Sequence, residues 1–310
     1  MNIPEITRRE SLFGAIALAV APLLSRRALA QASSYGFTQG EFQVTVLSDG
    51  FISIPAEIMV SGVAPEERAA ILSRLDAPNG LVRGKANIPL IRKGAELVLV
   101  DIGAGHKYQP SDGALSDNLL AAGVDPNAVT KVVFTHAHPD HIWATLGANG
   151  RLRFPNAVYY VGGAEWDFWM DPNYQATMPA ALHGFAKGAQ RDLDAIKDRT
   201  VRLKPGDEVV AGLRVLDTAG HTPGHLSLEM SGGEGLLISA DVAVNEIVSF
   251  EHPDWSFGYD TLPEIAIRNR LRLLDRAASD KTKLLGYHWA YPGIGFVERK
   301  ETAFRFVSAT

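Results

Sequence analysis

The sequence contains no cysteine in 310 residues. That absence excludes disulfide cross-links and every thiolate-held metal site. Any metal must be held by imidazole and carboxylate. A basic face is missing as well. The formal net charge is −5 at pH 7, opposite to what a nucleic-acid groove needs. No apolar run reaches the ~20 residues of a membrane-spanning helix. Neither an internal repeat nor a low-complexity segment is present. With 46% hydrophobic and 21% charged residues, the chain can bury a large core without cross-links.

Residues 1–30 read as a targeting segment, and residues 31–310 as one domain. Thr7-Arg8-Arg9-Glu10-Ser11-Leu12-Phe13 resembles a twin-arginine export signal, although Ser11 stands where Phe is usual. An apolar run from Leu12 to Leu24 follows. Ala28-Leu29-Ala30 then offers a small-residue cleavage site, with Ala30-Gln31-Ala32 as the alternative. Arg26 and Arg27 disfavour the general secretory route. The twin-arginine route carries folded, cofactor-loaded proteins, so the expectation is a periplasmic protein with no stable membrane anchor after cleavage. The segment holds four arginines against two glutamates, which leaves the remainder at about −7.

Beyond the leader, strand pairs alternate with helices. Residues 41–47 alternate polar and apolar, and Ser48-Asp49-Gly50 predicts a turn into residues 51–54, hence a hairpin. A second hairpin is predicted from residues 88–91 to 97–100 through Lys93-Gly94. Residues 116–122 have a helical pattern that stops at Gly123. Buried strands are expected at 131–135 and 157–161, and further strands at 209–217, 226–230, 235–240 and 283–286. Residues 261–278 predict a helix of about five turns. The stretch 166–198 is polar, aromatic and helix-prone, and suggests an inserted helical lid. Such an order predicts an α/β chain, a mixed sheet sandwich covered by helices.

The densest chemistry lies in six residues, His136-Ala137-His138-Pro139-Asp140-His141, directly after the apolar strand Lys131-Val132-Val133-Phe134-Thr135. Four of the six carry metal-binding side chains. His221 follows in Ala219-Gly220-His221-Thr222-Pro223-Gly224-His225. Asp241 ends the apolar run Ile238-Ser239-Ala240, and His288 sits between Tyr287 and Trp289. Each lies at or just beyond a predicted strand end, so strands ending on one edge would bring these ligands together. His225 reads as structural. His106, His183 and His252 read as ordinary surface or pocket histidines.

In this order the motifs resemble the metallo-β-lactamase-fold hydrolases, over nearly the whole mature chain. That resemblance implies an αββα sandwich of two mixed β-sheets flanked by helices. It implies two divalent metal ions, zinc first. His136, His138 and His221 would hold one. Asp140, His141 and His288 would hold the other, and Asp241 would bridge them. Asp101, in Val100-Asp101-Ile102-Gly103, matches the carboxylate that orients a ligand histidine. Asp140 and Asp241 take the catalytic roles, with a bridging hydroxide as nucleophile. Flavin-linked di-iron relatives carry Glu where His138 stands, which favours hydrolysis over redox chemistry. The lack of cysteine and the presence of Asp241 argue against a β-lactam substrate. Export weakens a glutathione-thioesterase reading.

Outside the ligands, Phe154-Pro155-Asn156-Ala157-Val158, Glu165-Trp166-Asp167-Phe168-Trp169 and Tyr291-Pro292-Gly293-Ile294-Gly295 resemble the methyl parathion hydrolase and lactonase-like group. The resemblance implies an aromatic substrate pocket from Tyr108, Trp169 and Phe185. It implies a small hydrophobic lactone or aryl ester as substrate, with an organophosphate triester as the alternative. Tyr108 departs from the phosphotriesterase pattern, which has Phe there. A non-catalytic periplasmic metal-binding protein is the remaining alternative. Relatives are often dimers, so a homodimer is an expectation that no residue here carries.

Overall fold

The computed structural model describes residues 34–310; the predicted leader lies outside them. Fourteen strands form two seven-stranded sheets. The first takes β1 (Ser34–Gln39), β2 (Phe42–Pro55), β3 (Leu81–Lys93), β4 (Glu96–Val100), β5 (Lys131–Phe134), β6 (Val158–Gly162) and β7 (Thr200–Leu203), in that spatial order. The second takes β8 (Glu208–Val210), β9 (Leu213–Asp217), β10 (Leu226–Met230), β11 (Leu236–Ala240), β12 (Lys283–Gly286), β13 (Ile294–Lys300) and β14 (Ala303–Ser308), also in chain order. β4 to β7 run parallel, as do β11 and β12; the other neighbours are antiparallel.

Alternation along the strands builds the layers. Val98, Val100 and Val133 face inward and pack with Val215, Leu228, Ile238 and Leu285 of the opposite sheet. Leu97, Leu99, Val132 and Phe134 face outward under helices. Because both faces of β4 and β5 are covered, the sequence there is continuously apolar. Five helices matter to the site: α1 (Leu115–Ala121), α2 (Pro139–Ile142), α3 (Gly163–Trp169), α4 (His183–Ile196) and α5 (Pro263–Asp280). Leu115 and Leu119 of α1 and Ala186, Ala189, Leu193 and Ile196 of α4 cover the first sheet. Leu273, Leu274 and Ala277 of α5 cover Leu237 and Leu284 of the second. This is the expected αββα sandwich. No described helix is long and apolar enough to cross a membrane.

Three expectations need correction. The expected hairpin over residues 41–54 is instead the single strand β2, Phe42–Pro55: Ser48 to Phe51 is an irregularity in the β2–β3 ladder. Gly50 (φ +102) accommodates it, and the Asp49 carboxylate is taken up by the Ala104 and Leu115 N–H groups. Residues 209–217 are two strands, broken at Gly212 (φ +81). The stretch 166–198 is not a detached lid, because α4 buries its apolar face in the main core.

Candidate metal centre

The ligand loops leave adjoining strand ends. Behind β5 the chain turns into α2, where Pro139 occupies the first turn; a residue without an N–H is suited to that position. His138 is the N-cap, yet its side chain caps nothing and is left for the site. From the second sheet come His221 after β9, Asp241 directly after β11, and His288 two residues beyond β12. Asp101 (φ +62) and Ala240 (φ +47) take the left-handed backbone conformation at the ends of β4 and β11. That conformation costs about 1–2 kcal/mol per residue, and here it turns Asp101 and Asp241 off their strands. All seven expected ligands and Asp101 are buried.

Ligand atoms converge in three overlapping groups: His136, His138 and His221; His136, His141 and Asp241; Asp140, His141 and His288. Within each group the atoms lie within 4.8 Å of one another. His138 Nδ1 is 3.0 Å from His136 Nε2 and 2.8 Å from His221 Nε2. Asp241 stands between the groups. Its Oδ2 is 3.4 Å from His221 Nε2 and 3.2 Å from His288 Nε2, and its Oδ1 is 3.6 Å from His141 Nε2. Asp140 Oδ2 lies 3.3 Å from His288 Nε2 and 3.5 Å from His141 Nε2.

Hydrogen bonding on the far side of each ring assigns the tautomers. His141 Nδ1 donates to Asp101 Oδ2 at 2.8 Å, His221 Nδ1 to Asp260 Oδ1 at 3.0 Å, and His288 Nδ1 to the Lys85 carbonyl at 2.8 Å. Thr135 Oγ1 gives its proton to Asp101 Oδ2 and so accepts from His136 Nδ1 at 3.0 Å. The four Nε2 lone pairs therefore face one another and the carboxylates. Lone pairs and anions gathered out of water need a cation. Three atoms of the cluster, Asp140 Oδ2, His141 Nε2 and Asp241 Oδ1, are buried without any hydrogen-bond partner.

The titration behaviour agrees. Burial holds His136 and His138 well below the usual imidazole range. Burial also acts on His141 and His288, but there the charges of Asp241 and Asp140 prevail and raise both. Asp241 is held well below the usual carboxylate range because His288 and His141 overcome its burial. The residues present fit divalent metal.

Three supporting side chains surround this cluster. His225, expected to be structural, hydrogen-bonds Thr218 Oγ1 through Nδ1 and accepts the Asp241 N–H at Nε2. Asp260 holds His221 and is itself met by the buried Arg270 at 3.2 Å. Glu165 bonds both the His136–His138 loop and the loop after His221. Asp260 went unmarked in the sequence, because a lone Asp in a loop carries no pattern.

A narrow cleft opens over the cluster, walled by Ile52, Ile54, Tyr108, Phe185, Phe257 and Tyr259. Tyr108 and Phe185 line it, edge to face at 5.8 Å. Trp169 does not. It is fully buried, packs edge-on against His138 at 5.6 Å and donates from Nε1 to Glu165. Phe257 and Tyr259 take wall positions that the sequence did not mark. A larger surface depression surrounds His252 and Trp255, but no ligand of the cluster lines it.

Known proteins place this geometry. Residues 81–288 match the metallo-beta-lactamase superfamily. The N-acyl homoserine lactonase AttM of Rhizobium johnstonii is 31% identical over 144 residues, 43% of this chain and 48% of its own. The N-acyl homoserine lactonase AiiA of Bacillus thuringiensis subsp. kurstaki is 30% identical over 168 residues, 53% of this chain and 57% of its own. The matched region thus spans about half the length of these curated relatives. Among solved structures, hydrolase AbOPH of the beta lactamase superfamily superposes with a TM-score of 0.83 at 28% identity, covering 90% of this chain and 98% of its own. AidC, a dizinc quorum-quenching lactonase, gives the same TM-score and coverage at 26% identity. The strand-end ligand loops, the paired sheets and the match over residues 81–288 agree: the chain belongs to the metallo-beta-lactamase superfamily.

Proposed function

We propose that this protein is a two-metal hydrolase that opens lactones, with esters as further substrates, and that it works in the periplasm after removal of its leader. The observation that carries the substrate reading is the cleft wall. Above the ligand cluster it offers aliphatic, aromatic and phenolic side chains and no lysine or arginine. A neutral acyl compound fits such a wall. A substrate with a free carboxylate or phosphate would meet no cation from the wall. The lactonase relatives support the same reading.

His136, His138 and His221 would hold one ion, Asp140, His141 and His288 the other, with Asp241 shared. Once bound, the ions supply Lewis-acid polarisation of a carbonyl and a lowered pKa for water. The chain's own groups do the rest. Asp101, Asp260 and the Lys85 carbonyl fix the ring tautomers so that lone pairs point inward. Ile52, Ile54, Phe185 and Phe257 exclude water and seat an apolar acyl group. Burial, then the nearby Asp140 charge, raises the pKa of both Tyr108 and Tyr259. Both phenols therefore stay protonated at neutral pH and can donate to a carbonyl or leaving oxygen.

A phosphotriester is also neutral and suits the same aromatic wall, so it remains the second reading. A panel of acyl lactone, aryl ester and phosphotriester, assayed with zinc-, cobalt- and manganese-loaded protein, separates the two. The lactone should give the highest kcat/KM. Phosphotriester turnover above lactone turnover would reverse the order. No turnover at full metal loading would favour a metal-binding protein without catalysis.

A further inference from the structure

Glu165, on α3, is a buried carboxylate that makes no ion pair with any described residue. Its Oε1 accepts the Ala137 N–H at 2.8 Å and Trp169 Nε1–H at 2.6 Å. Its Oε2 accepts the Thr222 hydroxyl at 2.6 Å and the Gly224 N–H at 3.1 Å. Ala137 lies between His136 and His138, and Thr222 directly follows His221. One carboxylate thus joins two loops that come from opposite sheets. They are the loops that carry the three-imidazole group.

The surroundings are built for this contact. Gly224 lies so close to α3 that a Cβ there would sit 1.9 Å from the Glu165 nitrogen, so only glycine permits the approach. Trp169, which donates to Oε1, also packs its ring edge against His138. Each Glu165 oxygen receives two donors, so a proton on either would displace one of them. Burial, the largest influence, raises the Glu165 pKa, and each of the four donors pulls it back down.

We infer that Glu165 is the positioning residue for one ion of the pair: it sets the spacing of His136, His138 and His221, while Asp101 bonds His141 of the other ion directly and reaches His136 only through the Thr135 hydroxyl. This inference rests on the two-ion reading above. A glutamine at 165 keeps the shape but turns one acceptor into a donor. Its NH2 would face either the Ala137 and Trp169 donors or the Gly224 N–H, and one loop would lose its anchor. Substitutions behind a ligand shell cost roughly 10–100-fold in metal affinity.

The test is chelator-driven metal release from the full-length, metal-loaded protein, with ions counted by elemental analysis and cobalt absorption followed in parallel. Wild type should hold two equivalents. Glu165→Gln should release one of them at least ~10-fold faster and the other at the wild-type rate, with altered cobalt bands. Asp101→Asn should speed release of the other equivalent. A folded Glu165→Gln protein that releases both ions at the wild-type rate overturns the inference, as does equal acceleration of both. If Glu165→Gln does not fold, Thr222→Val and Trp169→Phe decide, each removing one donor from a different oxygen. Both should accelerate the same single equivalent, and no effect from either overturns the inference. If wild type holds one ion, the two-ion reading fails, and Glu165 stands or falls on whether Glu165→Gln hastens loss of that ion. If wild type holds none, both fall.

Discussion

Replacing Asp101 with asparagine should weaken metal binding without unfolding the protein. Asp101 Oδ2 receives His141 Nδ1 and the Thr135 hydroxyl, each at 2.8 Å, and Oδ1 receives the Thr135 N–H at 2.8 Å. Asparagine has one accepting and one donating end. If its NH2 takes the Oδ1 position, it opposes the Thr135 N–H. If it takes the Oδ2 position, it faces His141 Nδ1 and drives that ring to the other tautomer. The proton then sits on Nε2, the atom aimed at Asp140 and Asp241. A hydrogen bond to a charged group contributes about 1.5–3 kcal/mol. At 1.4 kcal/mol per decade, that predicts a loss of about 10–100-fold in affinity for the ion that uses His141. Competition titration against a chromophoric chelator reads the change directly, and circular dichroism verifies the fold. Two ions bound within threefold of wild-type affinity would refute the tautomer argument.

Other expectations concern stability and selectivity. His225 is buried and its pKa falls to about 3 through burial and then His221. An unfolded histidine takes up a proton near pH 6.5, while the folded one stays neutral to about 3. The metal-free protein should therefore lose stability as pH falls through that window, and His225→Gln should flatten the slope in denaturant titrations. Arg270 donates to the Val242, Pro253 and Trp255 carbonyls and to Asp260; Arg270→Met takes the cationic partner from the buried Asp260 carboxylate and should cost about 3–5 kcal/mol in the denaturation midpoint analysis. Tyr108→Phe removes a hydroxyl from the cleft wall and should raise the phosphotriester-to-lactone ratio of kcat/KM; an unchanged ratio would show that the hydroxyl does not contact substrate.

The layered fold was legible because the central strands advertise themselves. Residues 131–135 and 283–286 are apolar on both faces, and their bounds were read within a residue. The candidate ligands were legible because imidazole and carboxylate clusters directly behind such strands are rare. Edge elements were not. β1, β7 and β14 are short edge strands of mixed exposure, each anchored by few apolar side chains such as Phe37, Leu203 and Phe304, so their sequence signal is weak. Ser48-Asp49-Gly50 has turn chemistry but is used as a bulge, since β3 is long enough to pair on both sides of it. Trp169 was placed on the cleft wall because aromatic side chains suit both cores and pockets. Only the fold shows that its Nε1 is committed to Glu165. Phe257 and Tyr259 escaped because irregular loops carry no period.

The two sheets are also consecutive in the chain. Residues 34–203 supply all seven strands of one, and residues 208–308 all seven of the other. His136, His138, Asp140 and His141 belong to the first half; His221, Asp241 and His288 belong to the second. Neither half owns a complete set of ligands for either ion. On the two-ion reading, bound metal would rivet the two halves together, stabilising their union by mass action as its free concentration rises. A chain cut within residues 204–207 would be a split protein whose reassembly is metered by divalent metal, and whose colour with cobalt would report the joining.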